Sequence, residues 1–352
     1  MNDVQKAKKA LDTIIRKSRV HLYKPIQIAE ILYHNRTGTG ASNLLNLEEY
    51  RNISKKWRDE ISVELLGRKC TSSARFQDDL FNDNAIPPYI LEILGRENIK
   101  TGGSVESYIY RCFSSRHTQL SSALDYCVHA ENSEFDIKFL IDSFRREPGL
   151  RRSIDKVYEI IVYALFETIL TALELKIEIT VNPQKHDVMT EFSDFTKLVM
   201  KLDDKDFGSP QNAEVFRVGV TNAADRGLDI YSNWGPAIQV KHLSLSEETA
   251  EDIVNNAPGN KIIIVCKDAE EKIITSLLNQ IGWRNRIQSI ITETNLINWY
   301  DKALRGKYSG IMADELMSSL CVQLQYEFPS VTDFPDTLKN RHYENITNEF
   351  WK

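Results

Sequence analysis

The chain has 352 residues, 42% hydrophobic and 27% charged, with 15 Gly, 10 Pro and a formal net charge of −6. This excludes a disordered or collagen-like polypeptide and leaves room for two domains or one large decorated one. No apolar run reaches the roughly 18 residues of a membrane span, and the charged start MNDVQKAKKALDTIIRKSRV lacks a signal peptide's apolar block, so a cytoplasmic protein without a membrane partner is expected.

Five cysteines, at 70, 112, 127, 266 and 321, form no CxxC and are odd in number, which fits buried thiols rather than a zinc site or a disulfide frame. Charge is uneven along the chain. Residues 1–75 hold 15 Lys+Arg against 8 Asp+Glu, a local excess that suits either an anionic partner or a solvated helical surface.

From 1 to 150 the pattern is helical with breaks. Leu11, Ile14 and Ile15 recur at helix spacing, and PIQIAEILYHN could open a helix-turn-helix, although no clear recognition helix follows. RTGTGASN, residues 36–43, is a loop rich in small donors, with Arg36 and Thr37 at its start. It lacks the Gly-Lys-Ser/Thr of a nucleotide-binding loop, but Arg36 and backbone amides there could meet phosphate or guanine edges.

REPGLRRS, 145–152, reads as a junction. After it, DKVYEIIVYALFETILTAL is apolar on most faces and predicts a buried helix carrying Glu159 and Glu167. KIEITVN alternates as a strand, and DFTKLVMKL predicts an amphipathic helix within an insertion. VFRVGV, LDIYS and PAIQVKHLSL then predict strands, SEETAEDIVNNA a capped helix, and KIIIVC a strand covered on both faces. AEEKIITSLLNQIG, IQSIIT and ETNLINWYDKAL continue as helix, strand and helix. The expected fold is α/β (α+β): a mixed sheet flanked by helices at 151–310, a mainly helical region at 1–150, and a C-terminal extension at 311–352.

Within this order, DRGLDIYSNWGPAIQVKHL, residues 225–243, concentrates the polar chemistry. Side chains two apart on a strand share a face, so Gln239 and Lys241 emerge together while Val240 points to the core. An antiparallel turn through SNWGP would place Asp229 beside them. One carboxylate, a neutral side-chain oxygen and the Val240 carbonyl could hold Mg²⁺, and a lysine could handle an attacking water. A further acid, Glu167 or Glu159, would compensate for the neutral Gln239. Asp225 either helps position metal-bound water or opens a tight Arg-Gly turn, and Asn222 stands in a small polar stretch that could meet a DNA backbone. On these residues alone a charged hairpin without catalysis is the favoured reading.

The order of the segments is what distinguishes them. Phe166-Glu167 in a helix, then Asp225-x-Gly227-x-Asp229, then Gln239-Val240-Lys241, resembles the PD-(D/E)XK nuclease superfamily, and its Mrr-like branch in particular, over about residues 155–300. In its length and its opening KSRVHLYKPIQIAEILYHNRTG, the whole chain is similar to the HaeII family of type II restriction endonucleases. That resemblance implies a homodimeric, Mg²⁺-dependent enzyme that cuts double-stranded DNA at RGCGCY and is accompanied by a cognate DNA methyltransferase. The superfamily resemblance implies Asp229, Gln239, Lys241 and Glu167 as the site, and the 1–150 region is expected to serve DNA recognition and dimerisation. The rival readings are an Mrr-type modification-dependent or repair nuclease, and a non-catalytic DNA-binding protein on a nuclease fold.

Overall fold

The computed structural model describes the chain apart from residues 1, 70–78, 203–209, 219–227, 243, 244, 247, 249, 250, 252, 254–260, 269–272, 274, 275, 277, 278, 280–285 and 332. Two units are built, one from Met1–Ile160 with Leu320–Lys352, the other from Ile161–Val218 with Gly227–Ser319. The sequence places a separate extension at 311–352, yet residues from 320 onward belong to the first unit.

The first unit is helical: α1 (Asp3–Lys17), α2 (Tyr23–Thr37), α3 (Ile53–Leu66), α4 (Pro88–Lys100), α5 (Ser104–His129), α6 (Ile137–Arg146) and the start of α7 (Ile154–Ala172). Eight consecutive residues of α2, Pro25 to Leu32, are buried, so this helix needs neighbours on every side. It has them in α1, α3, α4 and α5. The PIQIAEILYHN segment, read as a possible first helix of a helix-turn-helix, is a core helix from Pro25 to Leu32.

Burying α2 whole also buries its polar residues. Glu30, 1% exposed, is met by both terminal nitrogens of Arg341 at 2.7 and 2.9 Å and by the Tyr110 hydroxyl. Arg341 follows α12 (Asp336–Lys339), and Leu338, Tyr343 and Trp351 enter the same apolar core as α1 and α2. The C-terminal residues are therefore part of this core.

The second unit holds the mixed sheet that the sequence predicts; it has five strands, in the order β3-β4-β5-β6-β7. Strands β3 (Val215–Arg217), β4 (Ile230–Ser232) and β5 (Ala237–Lys241) run antiparallel to their neighbours; β5, β6 (Ile262–Cys266) and β7 (Ile287–Thr292) run parallel. All five residues of β6 are buried, which is why KIIIVC carries no polar alternation. Its Ile262, Ile264 and Cys266 pack with Leu245, Ile253 and Ile287. The rest of α7, α10 (Glu293–Arg305) and α11 (Ser309–Glu327) as far as Ser319 also belong to this unit. A capping box between Thr292 and Asn295 starts α10, and the Tyr300 hydroxyl donates to the Ile161 carbonyl of α7 at 2.9 Å.

The predicted strand KIEITVN contributes only β1 (Lys176–Ile177), paired with β2 (Gln211–Asn212) in a separate two-stranded sheet. Its alternating apolar residues have no core to face, and Ile179 is 42% exposed. DFTKLVMKL likewise departs from an amphipathic helix. After α8 (His186–Glu191) it forms the short α9 (Ser193–Phe195) and a π-turn over Thr196–Met200.

Candidate active site

β5 ends on Lys241, and Asp229 immediately precedes β4. The antiparallel register pairs Ile230 with Ile238, and continuing it by one residue sets Asp229 opposite Gln239. Opposed residues share a face, and residues two apart share it too, so Asp229, Gln239 and Lys241 project to one side of the sheet. The parallel register puts Gln239 beside Ile264 and Lys241 beside Cys266, so this is the face covered by the Leu245–Ile253 cluster.

The backbone explains why the carboxylate is held there. Ala237 N–H donates to Lys261 O of the β6 side at 2.9 Å, so by alternation Val240 turns its amide and carbonyl toward β4. A continued ladder would send the Val240 amide to a β4-side carbonyl; it donates instead to Asp229 Oδ2 at 2.8 Å. The Asp229 carbonyl meanwhile accepts from Val218 N–H at 2.9 Å, keeping its main chain in register with β3. The carboxylate thus sits where β4 and β5 part, with the Val240 carbonyl leaving the strand on the same side.

Gln239 is 2% exposed, and its Nε2 is buried without a hydrogen-bond partner among the described residues. A buried amide left unsatisfied is costly. Lys241 is half-buried and makes no hydrogen bond or ion pair among the described residues. Cys266 is no nucleophile, since burial pushes its thiol up to about 11.

The other predicted residues are distributed differently. Glu167 is half-buried on α7 and accepts from the Tyr163 hydroxyl at 2.7 Å and the Ser319 hydroxyl at 2.6 Å; its hydrogen bonds do not run to Asp229, Gln239 or Lys241. Glu159 belongs to the first unit, where Lys156 Nζ reaches its two oxygens at 2.9 and 2.7 Å with both side chains buried. Arg36 is engaged by the fully buried Glu106, through Nε at 2.9 Å and a closer Nη2 contact. Burial pushes the Glu106 carboxyl up to about 7 against the pull of that guanidinium. Thr37 is exposed and donates to the Tyr33 carbonyl. The loop after it turns on Gly38 at φ 69° and presses Gly40 on the Trp57 ring, which also stacks on His34 at 3.9 Å. Asp225 and Asn222 lie outside the described residues.

Two residues that hold Glu167 are missing from the sequence reading. Tyr163, four before Glu167 on the helix, was available from spacing; Ser319, 152 residues away, had no local signal. No cluster of three or more His, Cys, Asp or Glu that could hold a metal ion occurs among the described residues. No helix among them is long and apolar enough to cross a membrane.

Comparison with known proteins bears on this geometry. A family model described as HaeII restriction endonuclease matches residues 7–343. The chain is 54% identical over 345 residues to the type II restriction enzyme HaeII of Haemophilus aegyptius, covering 97% of this chain and 98% of that one. It is 50% identical over 355 residues to the type II restriction enzyme NgoBI of Neisseria gonorrhoeae, covering 98% and 99%. No solved structure matches.

Proposed function

The chain belongs to the HaeII restriction endonuclease family, and from that premise we propose that it hydrolyses phosphodiesters of double-stranded DNA with Mg²⁺ at Asp229, Gln239 and Lys241. The observation that carries the site is the Val240 amide's hydrogen bond to the Asp229 carboxylate, at the point where β4 and β5 part.

The donor set fits a hard cation. The Asp229 carboxylate, the Gln239 amide and the Val240 carbonyl offer oxygen only, and Mg²⁺ keeps several of its own waters. An amide's oxygen and nitrogen exchange by a half-turn, so the partnerless buried atom of Gln239 suits an oxygen turned toward a cation. Bound there, Mg²⁺ would neutralise phosphate charge and acidify a water. Asp229 is held in a fixed orientation by Val240 N–H. Lys241, uncommitted within the described chain, orients the attacking water and offsets the charge developing on phosphorus-bound oxygen. Glu167 is a supplementary acid whose two hydroxyl partners fix it on α7.

By the family resemblance the target is RGCGCY, cut by a homodimer with one site per strand, beside a DNA methyltransferase that protects the host genome. Basic residues of 1–75 supply salt-sensitive affinity for the backbone. The test is digestion of unmodified plasmid with and without Mg²⁺. Discrete fragments ending at RGCGCY support the proposal. Cutting restricted to modified DNA favours an Mrr-type enzyme, and binding without cutting a non-catalytic protein.

A further inference from the structure

We infer that the second unit carries both halves of a self-association surface: an apolar arm at 186–200 and an apolar groove beside α7 that receives the arm of a second copy of this chain.

The groove has a volume of about 690 Å³ and is walled by Phe166, Leu170, Trp234, Trp299, Tyr308 and Ile311, among other mostly apolar residues. Leu173, Tyr308 and Ile311 on its walls are 65%, 60% and 66% exposed. Trp234 belongs to the turn joining β4 to β5, so the groove opens at the hairpin end opposite Asp229 and Lys241. Apart from Lys302 the wall carries no charged side chain, so it suits an apolar occupant better than a phosphate backbone.

The arm supplies the matching shape. Met189 and Leu202 are each 4% exposed and bracket the arm's apolar stretch. Between them Phe192, Phe195, Leu198 and Val199 are 53%, 52%, 81% and 64% exposed. Residues 183–201 hold three Lys and three Asp or Glu, so two arms do not repel one another. Soluble monomers rarely leave so much apolar surface bare.

Size favours a second copy as the occupant. At about 150–250 Å² per large side chain, the exposed parts of the arm amount to roughly 600 Å². Two arms exchanged reciprocally into two grooves bury on the order of 2,000 Å², counting both walls, which matches a stable interface. Reciprocity closes the assembly at two copies rather than a chain of them. This names the surface for the two-fold pairing in the restriction reading and rests on that reading only for its purpose; association is the readout, and cleavage plays no part in it.

Sedimentation velocity on the full chain tests it, with an arm variant (Phe195→Asp with Leu198→Asp) and a groove variant (Leu173→Asp with Ile311→Asp). These side chains are exposed, so unchanged circular dichroism and thermal midpoints are expected for both. Wild type should be a dimer, and each variant alone should associate about 100-fold more weakly or worse. Mixed together, the two variants should regain a dimer, because one intact arm still meets one intact groove. A monomeric wild type, a variant that dimerises like wild type, or a mixture that stays monomeric would overturn the inference.

Discussion

Asp229 Oδ2 accepts a hydrogen bond from Val240 N–H at 2.8 Å, and this contact gives one carboxylate two duties. It replaces a missing rung of the β4–β5 ladder, and it fixes the orientation of the group proposed to bind metal.

The two duties separate by substitution. Asp229→Asn keeps an oxygen for Val240 N–H but loses the charge; Asp229→Ala loses both. Cleavage should fall at least about 1,000-fold in either, while only Asp229→Ala loses stability, by about 1.5–3 kcal/mol for a hydrogen bond to a charged group. Urea unfolding beside plasmid digestion reads both. An Asn variant that still cuts near the wild-type rate would remove Asp229 from the site.

Lys241→Ala should lower cleavage by about 100- to 10,000-fold, the range for losing a positioned proton-transfer group. Lys241→Arg should not rescue it, because a planar guanidinium neither reaches the same point nor gives up its proton. DNA affinity measured without divalent metal should change only a few-fold in both.

Gln239→Glu tests the metal directly. A carboxylate at a position only 2% exposed, set opposite Asp229, has only Lys241 on its face to offset it when metal is chelated. The variant should melt below wild type in chelator and gain more than wild type on adding Mg²⁺. Equal shifts in the two proteins would show that no cation sits at Gln239.

The first unit should be acid-labile. Burial pushes His21 down to about 3, helped by the nearby charge of His117, and burial alone pushes His117 down to about 4. Neither His117 nitrogen nor His21 Nδ1 has a partner among the described residues, and Arg19 and Arg68 oppose any charge on His21. Both folded values lie below the ordinary 6.5, so between about 6.5 and 4 the unfolded chain binds more protons. Stability is therefore complete above 6.5 and is lost as pH falls toward 4. Denaturant midpoints across that window should show the slope, and His117→Phe, which keeps the ring against Phe113, should flatten it.

Removing Arg341 leaves Glu30 charged and buried, so Arg341→Ala should cost about 3–5 kcal/mol in urea unfolding. Replacing both residues by Met should cost less than the single change. That comparison also tests whether residues 320–352 complete the first core.

What the sequence determined by itself was the local and periodic part. KIIIVC is a doubly covered strand because its apolar run leaves no face for water, and all five β6 residues are buried. The face shared by Gln239 and Lys241 follows from the two-residue period of any strand, and the mixed sheet from the order of its segments. Tertiary structure decided whatever depends on a distant partner. KIEITVN alternates like a core strand but has no core to face, and Arg36, an available cation in the sequence, meets a carboxylate seventy residues away. Arg341 finds Glu30 across 311 residues, so the chain's end closes its beginning. Periodicity fixes which way a side chain points, because backbone geometry repeats; only packing fixes what it meets, because that depends on which distant segments fold against it.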